Sequence, residues 1–425
     1  MNLIEELQWR GMIQDIMPGT EDQLKKELTT GYIGFDPTSD SLHIGSLVPI
    51  LLLLHLQKAG HKPMALIGGA TGMIGDPSGK SQERILLSEE TLQNNVEGIK
   101  SQLRKYIDFD STKSNAANLV NNYDWFKEIR LLDFLRDTGK HITVNYMTSK
   151  ESVRKRIEGE TGISFTEFSY QLIQGYDFYW LYQNKNCKLQ MGGSDQWGNI
   201  TTGSEIIRRK TGNESFAFTC PLITKADGGK FGKTETGNIW LDAEKTTPYQ
   251  FYQFWFNSAD TDAEKWIKIF TFLNKEEIEI IIKEHQADPG RRILQKKLAE
   301  EITIFIHGKQ EYEKAIQTTE KLFSNQNLSV EALSVDDLEQ MEGIVKIDMT
   351  KTHLVGGMDV VSFLTNIQIL PSKGEAKKMI QNGGIYINRK KVDNLQFSLD
   401  ESLLLHEQYL LIQKGKKNYY LVKAI

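Results

Sequence analysis

Cysteine is almost absent from this chain: Cys187 and Cys220 are the two among 425 residues. Two thiols cannot make a framework of bridges or a four-cysteine zinc site. The expected compartment is therefore the reduced cytosol. Long apolar runs are missing as well. The longest, LVPILLLLHL, is broken by Pro49 and His55 and falls short of the ~18 residues that a membrane span needs. The opening MNLIEELQWR is acidic and amphipathic, unlike a secretory signal or an Arg-rich transit peptide. No internal repeat or low-complexity tract appears. No Ser/His/Asp or Cys/His grouping stands out, so chemistry through a nucleophilic side chain is not indicated. The net charge of −5 argues against a generic nucleic-acid coat protein.

The charge is unevenly placed. Residues 351–425 hold 11 Lys plus Arg against 6 Asp plus Glu, a net of +5 on a body of −10. A basic tail on an acidic body suggests a separate surface for an anionic partner, against the plainer reading of ordinary charge scatter.

Strand-like and helical runs alternate through the first half. GYIGFD (31–36) and PMALIGG (63–69) are short, apolar and glycine-bounded. SLVPILLLLHLQKAG between them has helical length and stops at Gly60, which makes a βαβ unit. NLVNN (118–122), KLQMGG (188–193) and CPLIT (220–224) are further strand candidates. This alternation predicts a parallel sheet wrapped by helices. From about Thr246 to Leu322 helical runs take over. SVDDLEQMEG (334–343) reads as a polar linker. Ser372 and Glu375 form a capping box before AKKMIQNGG, followed by a strand IYIN and a basic turn Arg389-Lys390-Lys391. The fold class is α/β: a Rossmann-like parallel-sheet domain over 1–225, a loop and helical domain over 226–325, a linker over 326–350, and a small α/β domain over 351–425.

Four stretches carry chemistry. GDPSGKS (75–81) imitates a phosphate-binding Walker loop but has three residues, not four, between the first Gly and Gly-Lys, so its cradle would not close in the same way. Asp76, Lys80 and Arg84 remain charged groups after a strand end, where open α/β sheets bind ligands; a solvated turn is the plainer reading. In FDPTSDSLHIGSLV (35–48), Asp36 ends a strand, Thr38 follows the turn at Pro37, and His43 arrives at a helix start where N–H groups favour phosphate. Gly45 would let a ligand approach the backbone. In TEFSYQLIQGYDFYWLYQ (166–183), Tyr170, Gln174 and Asp177 fall at i, i+4 and i+7 on one helix face. An aromatic core explains Phe178 and Trp180 but not an amide and a carboxylate beside Tyr170; that face suits a small polar ligand such as an amino acid. QMGGSDQWGN (190–199) places Asp195 and Gln196 at another strand-end loop. Last, DGGKFGKTETGN (227–238) sets Lys230 and Lys233 among four glycines with Thr234 behind, a flexible loop suited to gripping an anion.

Together these stretches resemble the bacterial tyrosyl-tRNA synthetases of class I. YIGFDPTSDSLHIGSL, GGATGMIGDPSGKSQER, YQLIQGYDF, GGSDQWGN and KFGKT occur in family order, and SKGEAKKMIQNGGIYIN resembles the S4-type RNA-binding module. The resemblance implies tyrosine activation by ATP, with Mg2+ accompanying the nucleotide and no tightly bound cofactor or resident metal, and then transfer of tyrosyl to the terminal ribose of tRNA(Tyr). Lys230, Lys233 and Thr234 would grip the departing pyrophosphate. Thr38 and His43 would contact it from the opposite side, and Lys80 and Arg84 would add charge. Tyr32 and Asp177 would read the phenol; Tyr170, Gln174 and Asp76 would hold the ammonium group. Asp36, Asp195 and Gln196, with Gly34, Gly45 and Gly193, would lie along the nucleotide. Lys377, Lys378, Arg389, Lys390 and Lys391 would meet RNA. A homodimer touching near 124–165 is implied, with no membrane role. One departure is Ser46, where the family's first signature usually has a second histidine. The nearest rivals are the tryptophanyl relatives, whose indole N–H can only donate, a catalytically dead RNA-binding derivative, and a nucleotidyl transferase acting without tRNA.

Overall fold

The computed structural model describes residues 2–78, 87–110, 112–159, 162–229, 231–234, 237–323, 330, 333–339, 341, 344–415 and 418–425. It divides into two compact units, Met1–Asp242 with Ala259–Leu294, and Ala243–Ser258 with Gln295–Ile425.

The first unit is built on a six-stranded sheet of β1 (Asp15–Ile16), β2 (Thr30–Phe35), β3 (Lys62–Ile67), β4 (Asn118–Asn121), β5 (Cys187–Gly193) and β6 (Phe216–Cys220). The order is β1-β6-β5-β2-β3-β4. All neighbours are parallel except the short β1, which runs antiparallel to β6. The helix Leu47–Lys58 joins β2 to β3 and buries nine of its residues, from Leu47 to Leu56. A helix apolar all round belongs inside a fold, which is why its sequence shows no amphipathic stripe. The run expected as a strand at 220–224 differs: β6 ends at Cys220, because Pro221 has no N–H to donate to a ladder.

The helix Phe165–Lys185 begins where the Ser164 side chain accepts the Glu167 backbone N–H, and it ends at Asn186 in the left-handed region. Its inner face joins Tyr32, Met64, Leu66, Trp125, Phe178, Leu181, Cys187 and Ile207 in one buried cluster. The cluster takes Tyr32 from β2, Met64 and Leu66 from β3 and Cys187 from β5.

The second unit includes the helices Pro248–Phe256 and Lys309–Phe323 and, from Gln295 on, the helix Ile293–His307. β7 (Lys233–Thr234) and β8 (Gly237–Asn238) form a two-residue ladder in the first unit, and the remaining strands belong to the second. These are β9 (Val345–Met349), β10 (Met358–Asp359), β11 (Ile385–Ile387), β12 (Lys390–Lys391), β13 (Ser398–Leu399), β14 (Tyr409–Lys414) and β15 (Asn418–Ala424). Five of them make a sheet in the order β12-β11-β14-β15-β9. The helices Val360–Asn366 and Lys373–Gln381 pack on it around Phe363, Leu364, Ile380 and Ile412. Ser372 caps the second helix by accepting the Glu375 N–H. No helix among the described residues is long and apolar enough to cross a membrane.

Candidate functional site

Between β2 and β5 the chain reverses its direction of winding: β3 and β4 extend one side of the sheet, β6 and β1 the other. In open α/β sheets the crevice beyond the strand ends at such a point is the natural ligand site. A cavity of about 530 Å³ opens there. Its walls include Tyr32 and Gly34 of β2, Asp36 after it, Asp76, and Tyr170, Gln174 and Asp177 of the long helix. Gly193, Asp195 and Gln196 close the β5 side, Gly45 and Phe231 the rim. Those expected residues, scattered over more than 160 positions, thus share one cavity.

Polar contacts fix one wall. The Tyr170 hydroxyl donates to Asp36 Oδ2 at 2.7 Å, and the Thr71 hydroxyl donates to Asp36 Oδ1 at 2.7 Å. Asn122 Nδ2 donates to Thr71 Oγ1 at 3.1 Å and to Asp177 Oδ2 at 3.0 Å. Trp125 Nε1 donates to Asp177 Oδ1 at 2.9 Å. The Ala70 backbone N–H donates to Asn122 Oδ1 at 2.7 Å, which fixes how that amide faces. Opposite, Gln196 Nε2 donates to Asp76 Oδ2 at 2.7 Å, and Asn199 Nδ2 donates to Gln174 Oε1 at 2.9 Å.

Burial sets the proton affinities. It pushes the Asp177 carboxyl up to about 8, against the opposing pull of the donors Asn122 and Trp125. Asp195 is also raised, by burial and then by the charge of Asp76. The phenols of Tyr32 and Tyr170 are held well above their ordinary value, chiefly by burial, and stay protonated. Two buried polar atoms on the cavity wall, Tyr32 Oη and Gln190 Oε1, have no hydrogen-bond partner. Such atoms are costly unless something pairs with them, so a ligand with a hydroxyl or other polar tip fits this depth.

Thr38 is exposed on the turn after β2, and neither it nor His43 lines the cavity. His43 caps a single 3-10 turn, Ile44–Ser46, ahead of the helix, its Nδ1 accepting the Gly45 N–H at 3.0 Å. In the neutral ring the proton then sits on Nε2 as a donor. The imidazole also fills the space beside Gly45, where a Cβ would come within 2.7 Å of it. Lys80, Arg84 and Lys230 lie outside the described residues. Lys233 and Thr234 are described by their backbone as β7, and their side chains lie outside the description. Among the described residues, no group of three or more His, Cys, Asp or Glu is arranged to hold a metal.

Thr71, Asn122, Trp125, Gln190 and Asn199 are absent from the sequence-based set. Asn122 directly follows the strand NLVN, so the strand-end rule could have found it. The others are set by contacts across elements.

A family model of tRNA synthetases class I (W and Y) matches residues 24–324. The chain belongs to this class I tRNA synthetase family. A second model, of the tyrosine–tRNA ligase SYY-like C-terminal domain, matches residues 339–422 of this synthetase. It is 57% identical over 429 residues to the tyrosine–tRNA ligase of Bacteroides thetaiotaomicron, with both chains wholly covered. It is 58% identical over 431 residues to that of Flavobacterium johnsoniae, again with both wholly covered. Among solved structures it resembles a C-terminally truncated mitochondrial tyrosyl-tRNA synthetase of Aspergillus nidulans. There the TM-score is 0.68 and the identity 30%, over 76% of this chain and 94% of that one.

In this synthetase the stretch around His43 and Ile44 and the loop around Gly232 are joined through the backbone. The Ile239 N–H donates to Gly232 O at 3.0 Å, the Ile44 N–H to Ile239 O at 2.9 Å, and the Leu241 N–H to Leu42 O at 2.9 Å. Gly232 has φ of +79°, and a Cβ there would meet Ile44 Cγ1 at 3.0 Å. Glycine alone suits both demands.

Proposed function

We propose that this chain is a tyrosine–tRNA ligase, which joins tyrosine to ATP as tyrosyl-adenylate and then passes the tyrosyl group to the 3′-terminal ribose of tRNA(Tyr). The observation that carries this reading is the buried Asp177, held by Asn122 and Trp125 beside the orphaned Tyr32 hydroxyl. A phenol can both donate and accept there, whereas an indole N–H can only donate. A cavity so built rejects an amino acid lacking the hydroxyl, because its own buried polar groups would be left unpaired.

Tyr170, Gln174 and Asp76 are assigned to the substrate ammonium group. Asp36, Asp195, Gln196, Gly34, Gly45 and Gly193 are assigned to the nucleotide side. The tyrosine carboxylate attacks the α-phosphate, and pyrophosphate leaves. Positioning and charge stabilisation supply the acceleration in such a displacement. Lys230, Lys233 and Thr234 are assigned to the leaving phosphates from one flank, Thr38 and His43 from the other, with Lys80 and Arg84 adding charge. ATP is taken to enter with its Mg2+ as substrate. The chemistry is assigned to 1–225, with 226–325 carrying the signature loop and the anticodon side, and 326–350 leading to an RNA-binding domain at 351–425. Lys377, Lys378, Lys390 and Lys391 are exposed, and the Lys391 side chain lies against Gly383 at the end of the Lys373–Gln381 helix. Arg389 adjoins them on the turn before β12, and tRNA phosphate is their proposed partner.

A homodimer is proposed through the 124–165 segment, supported by Leu131, Leu132, Val144 and Phe165, which expose 70%, 78%, 63% and 76% of their surface. Apolar exposure of that kind marks interfaces. The proposed location is the cytoplasm, where the buried free thiols Cys187 and Cys220 would stay reduced.

The test is Asp177→Ala, assayed by ATP–pyrophosphate exchange with tyrosine and with phenylalanine. The expected outcome is loss of discrimination between them. Unchanged selectivity would overturn the pocket assignment.

A further inference from the structure

The loop DGGKFGKTETGN carries an aromatic residue, Phe231, between Lys230 and Lys233, and the reading above gives it nothing to do. It lies on the rim of the cavity, yet its ring is turned into the helix Asp260–Phe270. Its centroid is 5.0 Å from Trp266, edge to face at 71°, and 5.3 Å from Phe270, stacked at 15°. Trp266 and Phe270 are each 2% exposed, so both walls of the clamp are core residues. Aromatic pairs at these distances and angles attract one another beyond the area they bury.

The clamp itself is anchored. At the C-terminal end of that helix, where Phe270 sits, the buried Arg10 guanidinium donates to three carbonyls, Lys268 O at 2.7 Å, Thr271 O at 2.9 Å and Leu273 O at 2.8 Å. That is a C-terminal cap supplied by the residue that follows the first helix, Leu3–Trp9, and a cation there also suits the helix dipole. On the other side of Phe231, Gly232 is held by the Ile239 N–H and packs on Ile44. Residues 231 and 232 are therefore fixed from two directions, by aromatic packing and by backbone bonds. β7 begins at the next residue, Lys233.

We propose that Phe231, clamped between Trp266 and Phe270, is a positioning residue that sets the depth at which the signature lysine Lys233 meets the phosphates of ATP. The inference deepens the functional reading above and rests on it. An ammonium group aids the departing pyrophosphate only if it stands at the right depth, and misplacement by about 1 Å can cost about 10²-fold in rate. Phe231 touches no reacting atom in this scheme and acts through its neighbour.

The experiment is a double-mutant cycle of Phe231→Ala and Lys233→Ala, with single-turnover adenylate formation and tyrosine binding by equilibrium dialysis as readouts. Phe231→Ala is expected to slow adenylate formation up to about 10²-fold, with tyrosine affinity unchanged. In the Lys233→Ala background the same change should cost severalfold less, because the group it positions is gone. Phe231→Tyr, which keeps the ring, should retain the rate. Trp266→Leu leaves the loop sequence untouched and should reproduce the Phe231→Ala defect. Full additivity of the two alanine variants, or a parallel loss of tyrosine affinity, would overturn the clamp while leaving the lysine assignment intact. A normal rate in Lys233→Ala alone would instead overturn the lysine assignment, and the clamp with it.

Discussion

Replacing Asp177 by Asn changes one atom and should still be felt, because both neighbours of the carboxyl can only donate. Trp125 offers an indole N–H and nothing else. Asn122 would have to turn its amide to accept, but its Oδ1 already takes the Ala70 N–H at 2.7 Å and its Nδ2 serves Thr71 as well. The new amide must therefore face one N–H with another. One hydrogen bond is lost and one buried donor orphaned, a cost of about 1–3 kcal/mol. The cost depends on pH in a definite direction. Burial raises the Asp177 carboxyl from an ordinary 3.8 to about 8. Between those values the folded chain holds a proton that the unfolded chain has lost, so wild-type stability falls as pH rises through that window. The amide does not titrate, and the gap between the two proteins should narrow by up to about 1.4 kcal/mol per pH unit. Urea-unfolding midpoints at about pH 5.5 and about pH 8 measure this. A variant as stable as wild type at the lower pH, or a gap that widens toward the higher one, would refute the reasoning.

Two further outcomes test the roles proposed for lysines. Lys233→Ala should slow adenylate formation by about 10²–10³, the scale for one donor that acts in the transition state, with tyrosine affinity preserved; a normal single-turnover rate would contradict it. Changing Lys377, Lys378, Lys390 and Lys391 together to Glu should leave pyrophosphate exchange intact and weaken tRNA charging. The salt dependence of tRNA binding should also flatten, by about 0.7–0.9 in log–log slope for each lysine that meets a phosphate. Normal charging by that variant would remove RNA contact from this surface.

Much of the frame is legible in the chain itself. β2, β3, β4 and β5 announce themselves as short apolar runs bounded by glycine or asparagine, and their alternation with helices dictates a parallel sheet. Tyr170, Gln174 and Asp177 are readable as one face because helical spacing alone puts them there. What supports them is not. Asn122 reaches Asp177 across 55 positions, and Trp125 reaches it across 52. Locally they look like a strand-end asparagine and a core tryptophan, and tertiary packing alone reveals their task. β1 has two residues and takes its place from β6, so no period could betray it. The CPLIT stretch misleads because its apolar pattern outvotes Pro221. Phe231 shows the same limit: among glycines and lysines it reads as loop, and its partners lie more than 30 positions on.

The central claim is that one cavity reads the para-hydroxyl of an amino acid and activates that amino acid with ATP. Amino-acid-dependent ATP–pyrophosphate exchange, run with each of the twenty amino acids, tests it most directly. Strong exchange with tyrosine alone is the expected result. Exchange driven equally by phenylalanine or tryptophan, or by none of the twenty, would contradict it.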